Sequence, residues 1–150
     1  MTKAIYFDMD GTIADLYGVT DWLPMLINHC ALPYEQARPL VRLATLAFLL
    51  NSLKNAGFKI GIVSWLAKNS TAEYDEQVIN AKLNWLKTHL HSVEFDEIHI
   101  VKHGTPKEKV VDEPNGFLFD DEEKNRKNWT GTAFDVDDII NTLKEIKKRG

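Results

Sequence analysis

Strand-like and helix-like segments alternate along these 150 residues, and that alternation predicts an α/β fold, a three-layer doubly wound parallel sheet. Two further observations support it. Short apolar runs end repeatedly in acidic or hydroxyl residues, as buried strands do when they deliver polar groups to a site. The intervals between those runs suit helical crossovers, which need about a dozen residues or more. In such sheets ligands bind beyond the C-terminal ends of the strands, so the polar residues there carry the functional reading.

Ala4-Ile5-Tyr6-Phe7 is the first strand, ending in Asp8, Asp10 and a turn at Gly11. From Asp21 to Ala56 the pattern is largely helical, broken near Pro24, Pro33 and Pro39 and stopped at Gly57; this predicts one or two helices. Lys59 to Trp65 is a second strand, and Ala72 to Leu90 an amphipathic helix bearing Val78, Leu83, Leu86 and Leu90. Glu97 to Val101 is a third strand. Thr105 and Pro106 read as an N-cap and first helical position opening a short helix. Gly116 to Phe119 is a fourth strand ending in Asp120 and Asp121, and Thr132 to Val136 a fifth. A terminal helix then carries an apolar stripe of Ile139, Ile140, Leu143 and Ile146, with Lys144, Lys147, Lys148 and Arg149 toward its negative end.

Composition narrows the class. A chain that is 44% hydrophobic can bury a core, and its length fits one domain covering residues 1–150. The net charge of -4 gives no basic surplus to attract nucleic acid or anionic lipid. No apolar run approaches the roughly 20 residues that span a bilayer, and no export leader precedes the first strand. The single Cys30 cannot form an internal disulfide, so a cytoplasmic setting is expected.

Asp8 and Asp10 lie two apart at the end of an extended segment, which places both side chains toward one side. With Asp120 and Asp121 at another strand end, four carboxylates are placed to converge. Such a cluster repels itself without a cation, and an all-oxygen set suits magnesium better than zinc. Ser64, at the end of the second strand, and Lys107 supply a hydroxyl donor and an ammonium for phosphate.

These residues resemble the four motifs of the haloacid dehalogenase-like superfamily in their order: Ile5 to Thr12 with Asp8-Met9-Asp10-Gly11-Thr12, then Gly61 to Ser64, then Lys107, then Phe117 to Asp121. A finer resemblance is to cytosolic 5'-deoxyribonucleotidase-like proteins and small phage and bacterial members. It rests on Ser64-Trp65-Leu66, on Ala81 to Leu90, on Gly104-Thr105-Pro106-Lys107, and on Asn125 and Trp129 after the acidic pair.

The superfamily resemblance implies a Rossmannoid core and a phosphomonoester hydrolase. Asp8 would be the nucleophile and form an aspartyl-phosphate, and Asp10 the acid and base. Magnesium would be held by Asp8, the Asp10 backbone carbonyl and Asp120, with Asp121 close by. Ser64, Lys107 and the amides near Gly11 and Thr12 would hold the phosphoryl oxygens. Lys109 is the reserve choice for the third motif. The finer resemblance implies a nucleotide as the small phosphorylated substrate. Trp65, directly after Ser64, is assigned to substrate contact, whereas Trp85 and Trp129 read as core or wall, and Asn125 reads equally as support for the acidic pair or as a turn residue.

Two alternatives were open on the residues. Response-regulator receivers share acidic residues, a hydroxyl, a lysine and magnesium, but carry the phosphorylated Asp on a middle strand; here that strand ends in Ser64. A non-catalytic binding module would have lost the nucleophile most simply, yet Asp8 is present. Only 55 residues separate Asp8 from Ser64, so little or no cap is expected, with residues 16–56 as at most a minimal one. A lightly covered site would also admit nucleic-acid ends or a phosphoprotein.

Overall fold

A computed structural model describes residues 2–150. The first strand, β1 (Ala4–Phe7), is buried at every position. After the turn come the two-residue strand β2 (Ala14–Asp15) and a single 3-10 turn at Leu16–Gly18. Then follow α1 (Trp22–Ile27), α2 (Leu32–Gln36), the short strand β3 (Arg38–Pro39) and α3 (Leu43–Asn55). The remainder is β4 (Lys59–Trp65), α4 (Ala72–His89), β5 (Glu97–Val101), a 3-10 turn at Lys107–Lys109, β6 (Phe117–Phe119), α5 (Glu123–Asn128), β7 (Thr132–Phe134) and α6 (Ile139–Arg149).

The main sheet has five parallel strands in the order β5-β4-β1-β6-β7. The expected parallel α/β class is therefore the observed one. Strand β1 is central because its neighbours lie on opposite sides, β4 by one crossover and β6 by a later one. That is where the strand order reverses, and a crevice opens beyond the C-terminal ends. Asp8 is fixed there by its amide, which donates to the Phe119 carbonyl at 2.9 Å, and Asp120 by its own amide, which donates to Phe134 at 3.2 Å.

Helix α4 begins where the Thr71 hydroxyl accepts from the Tyr74 amide at 3.1 Å, with Glu73 and Asp75 in its first turn and Lys87 and His89 in its last. Both biases complement the helix dipole. Its buried face holds Tyr74, Val78, Ala81, Lys82, Trp85 and Leu86. Burial of each large apolar side chain there contributes about 1.5–3 kcal/mol. The lysine in the middle of this face is the anomaly.

Four expectations about elements change. The Asp21 to Ala56 stretch forms three helices, with β3 pairing antiparallel to β2 between the second and third. Proline at Pro33 and Pro39 explains the breaks: the first opens α2, and the second sits on an edge strand that needs no amide from it. The helix expected after Thr105 and Pro106 is only one 3-10 turn, because the Thr105 hydroxyl donates back to Lys102 at 2.7 Å instead of capping forward. Strand β7 ends at Phe134, and α5 was not foreseen. No helix among the described residues is long and apolar enough to cross a membrane.

Candidate active site

The crevice holds a compact charged floor. One carboxylate oxygen each from Asp8, Asp120 and Asp121 lies within 4.8 Å of the others. Lys107, only 3% exposed, reaches between two of them, 3.1 Å from Asp8 Oδ1 and 2.7 Å from Asp120 Oδ2. Lys109 is exposed, so geometry brings Lys107 and not the reserve residue to the floor. The Asp120 carboxylate also accepts from the Glu122 amide at 2.9 Å and from Asn125 Nδ2 at 3.2 Å. Asn125, buried on α5, is thus a support of the acidic pair.

Burial and mutual repulsion set the electrostatics. Desolvation pushes the Asp121 carboxyl up to about 8, helped by its contact with Asp8 and by the charges of Asp8 and Asp120. Desolvation and the Asp8 charge push Asp120 up to about 6, against the pull of Lys107. Burial alone would lower Lys107, but Asp8 and Asp120 overcome it and hold its ammonium above the ordinary lysine value. The three carboxylates and one ammonium leave a net charge of about minus two when ionised, in a donor set made wholly of oxygen. That set fits a divalent oxygen-seeking cation such as magnesium.

The carboxylate of Asp10 is not part of that cluster. It turns to Lys82, whose Nζ donates to Asp10 Oδ2 at 2.9 Å. Burial holds Asp10 above the usual carboxylate range; Lys82 pulls it down and the Asp8 charge pushes it up. Of the four carboxylates expected to converge, three do so, and Asp10 has only its backbone carbonyl to offer a metal.

The expected phosphate cradle is rearranged. Thr12 is 1% exposed and its hydroxyl lies 3.3 Å from both Asp8 Oδ2 and Asp121 Oδ1, so it ties carboxylates together. The Gly11 amide donates to the Ala14 carbonyl at 2.8 Å and the Thr12 amide to Met9 at 3.1 Å. Those two amides are spent on the turn. Gly11 itself has φ of +78°, and a side chain there would collide with the Asp121 carboxylate and the Tyr17 ring. Ser64 is fully buried and accepts from Lys82 at 2.7 Å.

Above the floor lies a cavity of about 450 Å³. Asp8, Asp10, Lys107 and Asp121 line its base, and Tyr17, Trp22, Leu26, Tyr34 and Trp65 its walls. The Trp65 indole is held by its N–H, which donates to the Thr105 carbonyl at 2.8 Å, and its ring lies 5.3 Å from the Lys107 ammonium and 4.7 Å from the His103 ring. Trp85 and Trp129 are buried elsewhere, donating to the carbonyls of Ala37 and Gly116.

Sequence reasoning missed Lys82, and it placed a minimal cap in residues 16–56 without naming the side chains that form the wall. A signal for Lys82 existed: it stands four residues after Val78 and four before Leu86, on the apolar stripe itself. The wall residues Leu16 to Tyr34 gave no such signal, since aromatic and aliphatic side chains in a loop region read equally as core.

Comparison with protein-family models and with curated proteins gives no match. Among solved structures, the chain is similar to D,D-heptose 1,7-bisphosphate phosphatase from Burkholderia thailandensis, with a TM-score of 0.60 and 12% identity over 97% of this chain and 98% of that one. A structural-genomics target from Vibrio cholerae aligns over 99% of this chain and 98% of its own at 18% identity, with a TM-score of 0.46, too low to define a shared fold. The first likeness spans the whole parallel sheet and its helices. The fold is thus the parallel α/β one expected from the sequence, shared with that phosphatase. At 12% identity the likeness extends to the fold and not to the substrate.

Proposed function

We propose that this chain is a magnesium-dependent phosphomonoester hydrolase that works through an aspartyl-phosphate on Asp8. The observation that carries this reading is the floor: Asp8 stands beside Asp120 and Asp121 with Lys107 bridging it to Asp120. A structural ion cluster has no need to open into a cavity, and this one does. The fold neighbour is itself a phosphatase, which agrees with the reading.

An Asp8 carboxylate oxygen attacks phosphorus as the bond to the alcohol oxygen breaks, and Asp10 gives its proton to that departing oxygen. Asp10 then takes a proton from water, which attacks the aspartyl-phosphate and releases inorganic phosphate with Asp8 restored. Lys107 holds Asp8 in place and lends positive charge where the phosphoryl oxygens gather. Asp8, the Asp10 backbone carbonyl and Asp120 would hold the ion, with Asp121 directly or through water. Magnesium held by these residues would supply positive charge to offset that of the carboxylate nucleophile and the phosphoryl group.

The cavity supports a reading of the substrate class. Its volume of about 450 Å³ falls in the ~300–1,000 Å³ range of small-molecule sites, and flat rings suit walls of Tyr17, Trp22 and Trp65. We read the Leu16 to Tyr34 part of the 16–56 segment as a minimal cap and a nucleotide as the substrate. A macromolecular end would have to displace that wall. The partly buried lone Cys30 suits a reducing cytoplasmic setting.

Phosphate release from an aryl phosphate, with and without magnesium, in wild type and Asp8→Asn tests the activity. Absence of magnesium-dependent turnover in wild type would sink it. A panel of nucleotides, sugar phosphates and phosphorylated oligonucleotide ends then tests the class, and activity confined to oligonucleotides would reject the nucleotide.

A further inference from the structure

One buried cation has no part in the four motifs. Lys82 lies in the middle of α4, 1% exposed, and its Nζ donates to three acceptors: Asp10 Oδ2 at 2.9 Å, Ser64 Oγ at 2.7 Å and the Trp65 carbonyl at 2.7 Å. The Tyr34 ring lies beneath, its centroid 5.1 Å away. An ammonium carries three N–H bonds, so none remains for a phosphoryl oxygen. Lys82 therefore does not bind substrate.

Stability alone gives a poor account of a lysine here. A buried ion pair often contributes no more than apolar side chains of the same volume, whereas removal of one partner leaves a costly unpaired charge. The flanking positions Val78 and Leu86 show what a core position on this face accepts. The three acceptors, however, belong to the functional strand ends: Asp10 after β1, and Ser64 and Trp65 closing β4. Lys82 joins these two ends at one point.

Resting on the phosphatase reading, we propose that Lys82 is the positioning residue of the acid and base step, pinning Asp10 Oδ2 so that Oδ1 alone carries the transferred proton. An oxygen that accepts a hydrogen bond from an ammonium has its lone pair committed and does not present a proton in the same direction. The other oxygen then delivers the proton to the leaving alcohol and later takes one from water. The same ammonium occupies a lone pair of Ser64 Oγ, which turns the hydroxyl hydrogen away from Lys82.

The test compares two substrates of similar shape, para-nitrophenyl phosphate, whose phenolate leaves without a proton, and para-nitrobenzyl phosphate, whose alkoxide does not. The parameter kcat/KM covers steps only as far as departure of the alcohol, so their ratio isolates the acid. Lys82→Met keeps the stem and removes the donors; it should lower kcat/KM on the benzyl ester by about 100-fold or more and on the nitrophenyl ester by less than about 10-fold. Asp10→Asn should show the same split, and the double variant should be no worse than Asp10→Asn alone. Equal losses on both esters, or losses that multiply in the double variant, would overturn the proposal. Thermal melting accompanies each variant, and Lys82→Gln replaces Lys82→Met if the latter does not fold. Failure of both to fold would also overturn it, since Lys82 would then be a strut of the core. Wild type inactive on both esters would instead remove the phosphatase reading beneath it.

Discussion

Asp8, Lys107 and Asp120, at the floor of the cavity, are 6%, 3% and 0% exposed, and each is held by at least two contacts from different elements. In the wall above them, α1 buries none of its residues, and Leu23 and Ile27 are 50% and 68% exposed. The floor is charged and fixed by strand ends; the wall is apolar, and its outer part on α1 is lightly packed. Chemistry that tolerates little displacement sits on the first, and shape selection on the second. Substitutions in the two regions should accordingly fail in different ways.

The largest effect belongs to the floor. Asp8→Asn removes the nucleophile while keeping shape, and should reduce phosphate release by at least about 1,000-fold with the fold intact by thermal melting. Residual turnover within 10-fold of wild type would assign the reaction to another group. Metal removal comes next: chelation should bring activity to background, and magnesium should raise the Tm of wild type but not of Asp120→Asn. An equal rise in both proteins would place the ion elsewhere.

The wall should respond through binding. Trp22→Ala, which removes the ring that packs edge-on against Tyr17 at 4.9 Å, should raise KM by about 10-fold, equivalent to roughly 1.4 kcal/mol, with kcat changed less than about threefold. A loss confined to kcat would mean that the wall shapes the chemical step and not the fit.

The same division explains what was legible in the residues. Asp8 and Asp120 could be placed because a buried strand has period-two geometry and delivers its end to the sheet's crevice. Lys107 was chosen over Lys109 on the motif context alone, and the structure buries the first and exposes the second. Lys82 was hidden among the polar residues of an amphipathic helix, although its register with Val78 and Leu86 marked it. Thr12 and Gly11 were assigned to phosphate by resemblance, but turn hydrogen bonds are settled only in three dimensions, and theirs are used internally. The wall from Leu16 to Tyr34 depends on contacts between loops and short helices, and no periodicity encodes those.

The smallest effect separates the floor's charge from its chemistry. Asp121 in the folded protein titrates near 8, above the ordinary carboxylate value of 3.8. Between those values the folded state binds the proton more tightly than the unfolded chain, so stability present at low pH is lost as pH rises through the folded pKa. Asp120, near 6, adds the same sign at lower pH. His89 and His103 are both held below the ordinary histidine value by burial, and act oppositely, so only a difference between proteins isolates the aspartate. Without metal, wild type should lose stability relative to Asp121→Asn from pH 5 to 8.5, by at most about 1.36 kcal/mol per pH unit. In a domain of this size each kcal/mol lost lowers Tm by about 2–4 °C. Magnesium should remove most of that divergence, because it supplies the charge that the proton otherwise provides. Parallel Tm curves for the two metal-free proteins would show that the floor carries no excess negative charge, and the case for a divalent ion would fail with it.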